Sequence, residues 1–353
     1  MSSVSPNRNR LLLLALGFII FLAALGSCFL SSATLETAPG APSAPPVQGA
    51  SPQVLTSAPT GTATPFMVLP TVVSRPTDTP APTITPTLTP TPEQAIVFAV
   101  IGDYGSGNRT EGDVAALVKS WQPDFIITTG DNNYPSGAEK TIDATIGQFY
   151  HDFIYPYKGD FGKGADKNRF FPTLGNHDWV AAGAKPYLRY FTLPGNERYY
   201  DFTWGPVHFF ALDADSNEPD GVGASSSQAD WLKPRMEEST SPWNIVYFHQ
   251  SPYSSGIHGS VTWMRWPFQA WGATAILSGH DHTYERLSID GLTYIVNGLG
   301  GGNIYPFEKI LKGSQVRYNE DYGAIRVEAT KGTITFQMFN RAGEAIDTYE
   351  ITR

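Results

Sequence analysis

Four of the seven histidines close short apolar runs: His177 in "PTLGNHD", His249 in "VYFH", and His280 and His282 in "LSGHDH". Side chains alternate faces along an extended segment, so His280 and His282 point one way and Asp281 the other, a spacing that suits a shared metal. A lone His-x-His pair is also common in surface loops, so other segments must decide. Asp103 ends "AVIGD", Asp131 and Tyr134 follow in "ITTGDNNY", and Asn176 and Asp178 flank His177. Each has a quieter use when taken alone. Asp103 and Asp131 could cap helices, Tyr134 could pack as an ordinary aromatic, Asn176 could stabilise a turn, and His249 could sit hydrogen-bonded in a core. Together they share one feature: all five segments place polar residues at the carboxyl end of an apolar run, the edge of an α/β sheet where ligands bind. Glycine precedes Asp103, Asp131, Asn176 and His280, which allows the chain to turn sharply there. Of the remaining histidines, His258 follows His249 by nine positions, while His151 on a helix surface and His208 inside a strand are expected to have no functional role.

The elements that would position these residues follow from periodicity. Beyond Gln94, β-branched and aromatic runs recur at "AIVFAVIG", "DFIITTG", "RFFPTLG", "VHFFALD", "WNIVYFH", "ATAILSG", "LTYIVNG", "AIRVEA" and "TITFQMF". Helical patterns fall between several of them, at "EGDVAALVKSW", "IDATIGQFYHDF" and "SSQADWLKPRMEE". Strands alternate with helices early and not late, so an α/β domain with mixed sheets is expected over 95–353.

The ordered set Asp103, "GDNNY", "GNHD", "VYFH" and "GHDH" resembles the five-block signature of the calcineurin-like metallophosphoesterases, and within them the purple acid phosphatase branch. Tyr134, three residues after Asp131, carries the narrower resemblance, and "GDNNYPSG" is most similar to the small, tartrate-resistant form. The resemblance implies a four-layer α/β/β/α sandwich and two metal ions. It implies a ferric ion held by Asp103, Asp131, Tyr134 and His282, and a divalent ion, iron, zinc or manganese, held by Asn176, His249 and His280 with Asp131 as the bridge. Hard carboxylate and phenolate oxygens suit ferric iron, and imidazoles with an amide oxygen suit the divalent ion. Such a pair would clamp a phosphate ester and activate water for in-line attack, with His177 or His258 protonating the leaving oxygen. Asp178 is a candidate to orient His177. Mammalian members of the small type carry a cysteine pair near the site that this chain lacks, so disulfide control does not carry over. The expected activity is phosphate monoester hydrolysis on a small-molecule substrate. The alternatives are a phosphodiesterase or nucleotidase of the same superfamily and, more distantly, a non-catalytic surface-displayed binding domain, which lost ligands would mark. Trp179, Tyr253, Trp263, Trp266 and Tyr284 lie near the blocks and could stack on a substrate ring, although such residues more often pack.

Composition bounds the rest. The 353 residues carry a formal net charge of −9 with 41% hydrophobic residues, and no basic tract suggests nucleic acid. An anionic substrate must then be drawn in by local charge such as metal ions. The single cysteine, Cys28, excludes an internal disulfide framework and a thiolate zinc cluster. Residues 1–30 read as an export signal, with Arg8 and Arg10 ahead of an uncharged run from 11 to 30. "ALGSC" resembles a bacterial lipobox, so a lipid at Cys28 or an uncleaved membrane helix would hold the chain at an extracytoplasmic surface, unless it is secreted. Residues 31–94 hold half of the chain's prolines among Thr, Ser and Ala, and are expected to form an extended, disordered stalk. Oligomeric state leaves no mark in the sequence.

Overall fold

A computed structural model describes residues 95–353. The expected export segment and stalk, 1–30 and 31–94, lie outside the described residues. Thirteen strands are present among them: β1 (Ile96–Ile101), β2 (Phe125–Thr128), β3 (Phe170–Pro172), β4 (Tyr200–Trp204), β5 (Val207–Ala211), β6 (Trp243–Tyr247) and β7 (Ala275–Ser278), followed by β8 (Tyr284–Ile289), β9 (Leu292–Asn297), β10 (Ser314–Tyr318), β11 (Gly323–Ala329), β12 (Thr333–Asn340) and β13 (Ala345–Thr352). They form two mixed sheets, ordered β13-β12-β11-β1-β2-β3 and β10-β8-β9-β7-β6-β5-β4. β1, β2 and β3 are mutually parallel in the first sheet, as are β5, β6, β7 and β9 in the second, and antiparallel strands flank both groups.

The unbroken apolar runs are explained by burial on both faces. In β6, Ile245 and Tyr247 join the core between the sheets while Val246 and the adjoining Phe248 join a second core on the outer side. Between the sheets, Phe98 and Phe125 meet Phe209 with ring centroids 5.0 and 5.3 Å apart, and Phe171 stacks on Phe202 at 3.9 Å. The helix Arg109–Ser120 covers the first sheet with buried Val114, Ala115 and Val118, and its Asn108 cap accepts the Glu111 N–H at 3.0 Å. The helix Ser227–Glu237 buries Ala229, Leu232 and Met236 in the core outside the second sheet. The result is the expected four-layer α/β/β/α sandwich with mixed sheets.

The stretch expected to be one helix at 142–153 is broken instead. The helix Glu139–Ile142 passes into a π-helical turn, Asp143–Gly147, where the Asp143 carboxylate accepts the Tyr157 and Tyr190 hydroxyls, each at 2.7 Å. A tertiary anchor has overridden the local period there. His151 binds the Gly147 carbonyl at 2.9 Å and His208 lies in β5 between Ser239 and Asp201, both structural positions.

Candidate metal centre

The chain leaves the ends of the central parallel strands in an unusual conformation. Asp103, Asp131 and His280 all have positive φ, at 53°, 54° and 71°, in the left-handed region that costs a non-glycine residue free energy. This conformation turns each side chain back over the sheet edge. Most of the preceding glycines serve a different purpose from the expected turning: only Gly130 among the four has positive φ. The others make room, since a Cβ on Gly175 would lie 2.2 Å from Asp131 Oδ1 and one on Gly279 would lie 2.4 Å from Asp103 Oδ2.

All seven candidate ligands converge there in two linked groups. In one, the Tyr134 hydroxyl lies 3.3 Å from Asp103 Oδ1 and 3.0 Å from His282 Nε2, and His282 Nε2 lies 3.3 Å from Asp103 Oδ1. In the other, His249 Nε2 lies 3.0 Å from Asn176 Oδ1, 3.2 Å from His280 Nδ1 and 3.4 Å from Asp131 Oδ2. Asp103, Asp131 and His249 each offer an atom such that all three lie within 4.8 Å of one another.

The donor chemistry of this cluster fits a cation. His249 Nδ1 faces the Thr129 carbonyl at 2.8 Å and His282 Nδ1 faces the Asn303 carbonyl, which places the ring N–H there and leaves each Nε2 lone pair aimed into the cluster. Each Nε2 then points at carboxylate, amide or phenol oxygens. Apart from the Tyr134 hydroxyl, which donates to Asp103 Oδ1, these are acceptors converging on acceptors, and with Asp103 and His249 wholly buried they require a proton or a metal between them. Without a metal, protons would do that work. Burial opposes an imidazolium at His249, yet the Asp131 and Asp103 carboxylates outweigh it and push the ring up to about 10. Burial likewise raises Asp131, but the His249 charge prevails and holds it below the usual carboxylate range. His280 is pushed down to about 3 by burial and by its neighbour His249. Tyr134 is raised well above an ordinary phenol by burial and by the Asp103 and Asp131 charges, so only a strong Lewis acid would make it a phenolate at neutral pH.

The two histidines expected to act as acids border this centre. The His177 ring packs against Tyr134 at 4.6 Å, with Nδ1 2.6 Å from the Pro135 carbonyl and Nε2 3.9 Å from Asp131 Oδ2. His258 is exposed, with its ring 4.4 Å from that of His280. A cleft of about 290 Å³ opens beside Tyr134, His177 and His282, with Asn108, Asn303 and Tyr305 in its wall. Tyr305 stacks on His282 at 4.1 Å, a contact that sequence reasoning missed because "GGNIYPFEK" has no period or motif of its own.

Asp178 does not orient His177. Its carboxylate accepts the Gly175 N–H at 2.9 Å and the Asn132 side-chain amide at 2.8 Å, fastening the second and third blocks together, and burial and the Asp131 charge raise it to about 7. Of the aromatics near the blocks, Trp266 and Tyr284 are buried, Trp179 donates to Asp213 Oδ2 at 2.9 Å, Tyr253 lies under Arg265, and Trp263 is 44% exposed.

The family described as calcineurin-like phosphoesterase matches residues 96–284. The tartrate-resistant acid phosphatase type 5 of Rattus norvegicus is 26% identical over 249 residues, covering 59% of this chain and 73% of that protein. Purple acid phosphatase 3 of Arabidopsis thaliana is 26% identical over 265 residues, covering 64% and 66%. Among solved structures, the purple acid phosphatase PPD1 from yellow lupin (Lupinus luteus) seeds is similar with a TM-score of 0.59 at 17% identity, over 74% of this chain and 54% of that one. GAP50, the anchor in the inner membrane complex of Plasmodium, has a TM-score of 0.58 at 19% identity, over 73% and 89%. At those identities the two structures speak for the fold alone.

Proposed function

Because the chain belongs to the calcineurin-like phosphoesterase family and is a hydrolase of the metallophosphoesterase type, we propose that it cleaves phosphate monoesters at a ferric–divalent centre of the purple acid phosphatase kind. The observation that carries this reading is the Tyr134 hydroxyl, 3.0 Å from His282 Nε2 and 3.3 Å from Asp103 Oδ1. Asp103, Asp131, Tyr134 and His282 would hold the ferric ion, and Asn176, His249 and His280 the divalent one, iron, zinc or manganese, with Asp131 shared. When bound, the ions supply Lewis acidity toward the phosphate and toward the attacking water.

The protein's own groups supply the rest. Asp103, Asp131 and Tyr134 bring at most three negative charges against five from the ions, so the centre stays positive and retains an anion within an acidic chain. The cleft beside Tyr134 and His177 admits a small-molecule ester. His177 and His258, neither placed to ligate, would deliver a proton to the leaving oxygen. The proposal extends to place: an enzyme outside the cytoplasm, tethered through Cys28 or through an uncleaved helix at 11–30, supported by the uncharged run behind Arg8 and Arg10. A non-catalytic role finds no support here, since all seven candidate ligands are present and drawn together.

The test is metal content with a visible spectrum. Phenolate bound to ferric iron gives a charge-transfer band that carboxylate, amide and imidazole do not. Tyr134→Phe keeps the ring and should abolish the colour while the fold persists. An iron-loaded, active, oxidised protein without the band, or a band unchanged in Tyr134→Phe, would leave only the broader family assignment. Parallel assays with monoester and diester reporters separate the phosphatase reading from a phosphodiesterase.

A further inference from the structure

We infer that Asp281, the residue between His280 and His282, is a positioning residue that holds the proton-donating His258 over the metal centre. This rests on the role given to His258 above.

Asp281 is wholly buried and its side chain meets the loop that follows β6. Asp281 Oδ1 accepts the His258 N–H at 2.9 Å, and Oδ2 accepts the Ser254 hydroxyl at 2.5 Å. The Ser254 oxygen in turn accepts the Gly256 N–H at 3.0 Å. Gly256 packs so closely that a Cβ there would lie 2.4 Å from the Asp281 carboxylate carbon. No cation faces Asp281 among the described residues, and its charge is met by these N–H and O–H donors, the arrangement that makes such bonds strong. Among the described residues, the His258 ring makes a 4.4 Å contact with His280 and a 5.4 Å edge contact with Tyr305. An exposed histidine with two ring contacts takes its place chiefly from where its backbone is tied. Asp281 and the candidate ligands on either side of it belong to one three-residue segment, so the same turn that places His280 and His282 also fixes where His258 stands beside them.

Two variants of the full-length chain separate positioning from mere structure. Asp281→Ala removes both bonds, whereas Asp281→Asn keeps an oxygen for the His258 N–H, and the Ser254 hydroxyl can turn to accept from the new amide. The expected result is normal metal content in both variants. For an alkyl phosphate, kcat should fall at least about 10-fold in Asp281→Ala and remain near the parent value in Asp281→Asn. An aryl phosphate with an acidic leaving group should be much less affected, because it needs no proton. In a His258→Ala background Asp281→Ala should cost nothing more, the non-additivity expected of residues acting through one group.

Hydrogen–deuterium exchange of the His258 amide gives a readout independent of turnover: protected in the parent and in Asp281→Asn, fast in Asp281→Ala. Additive losses in the kinetic cycle, equal losses for both leaving groups, or an amide that stays protected in Asp281→Ala would overturn the inference. If His258→Ala itself leaves alkyl phosphate turnover intact, the proton-donor reading fails, and the exchange pattern still decides whether Asp281 holds the loop.

Discussion

Gly279 is no candidate ligand, yet alanine there should cost the proposed centre its ferric ion. The added methyl carbon would stand 2.4 Å from Asp103 Oδ2, 2.8 Å from Thr129 Oγ1 and 3.1 Å from the Thr129 carbonyl oxygen. Non-bonded heavy atoms settle near about 3.5 Å, so the overlap with the carboxylate is roughly 1 Å. Neither neighbour can yield cheaply. Thr129 is buried at the end of β2 with its N–H on the Ile101 carbonyl, and Asp103 is wholly buried with Oδ2 bound to the His280 N–H at 2.9 Å. Either the Asp103 carboxylate or the 279–280 backbone must shift by that order. Metal–ligand distances tolerate about 0.2 Å, so the site holding Asp103, Tyr134 and His282 is lost before the fold is. Overpacking costs about 1–3 kcal/mol, against a domain stability of about 5–15 kcal/mol.

The assay follows from that separation. Metal-free Gly279→Ala should melt cooperatively, roughly 2–12 °C below the metal-free parent. Loaded with iron and a divalent ion, it should bind the ferric ion at least about 10–100-fold more weakly and lack the visible band. Gly332→Ala is the control, because a Cβ there meets nothing within 4 Å. A Gly279→Ala protein that binds both ions with parental affinity would show that Asp103 is not where the chemistry needs it.

Two further outcomes are expected. Glu111 is wholly buried with Oε2 on the Gly107 N–H at 2.6 Å, and burial lifts its carboxyl well above the usual range against the pull of the Gly107 and Ser106 N–H groups. The folded state therefore keeps a proton that the unfolded chain releases, and the parent loses stability as pH rises above the ordinary glutamate range; Glu111→Gln should gain on the parent between pH 4 and pH 8 in denaturant midpoints, and a gap that is flat or shrinks with pH would be contrary. Expressed in a bacterium that processes lipoproteins, the chain should incorporate labelled lipid and lose it in Cys28→Ala; an unlabelled parent would instead favour the uncleaved helix or secretion.

How much of the fold could be read depended on where each strand lies. The nine apolar runs correspond to β1, β2, β3, β5, β6, β7, β9, β11 and β12, most of them in sheet interiors and apolar for that reason. The four that gave no signal are β4, β8, β10 and β13. Three of these are sheet edges and β8 lies next to one. In β13, "AIDTYEIT", no residue is fully buried, so the chain alternates between half-exposed and exposed positions without an apolar run to betray it. The broken helix at 142–153 failed for the converse reason. Its period is helical, but the Asp143 carboxylate is held by tyrosines at 157 and 190 that no local pattern connects to it.

The candidate ligands were legible because each follows closely on a parallel strand, β1, β2 and β3 in one sheet and β6 and β7 in the other, and the two sheets bring these strand ends to the same place. What surrounds them was not, because it depends on which loops meet beyond those ends. Asp178 looked like a partner for its neighbour His177, yet it reaches back to Asn132 and Gly175, since a short helix beginning at Asn176 turns consecutive side chains in different directions. The glycines looked like sharp turns, yet three of the four are there because side-chain oxygens or buried backbone occupy the space a Cβ would need. Asp281 is the sharpest case. The expected strand alternation does not hold there: His280 has a φ of 71° and the Asp281 and Thr283 N–H groups close tight turns on the Gly279 and Asp281 carbonyls, so a turn separates Asp281 from the two histidines. Only the fold shows that Asp281 reaches the backbone of the loop bearing His258, so that one turn presents two candidate ligands and ties the proposed proton donor through the residue between them.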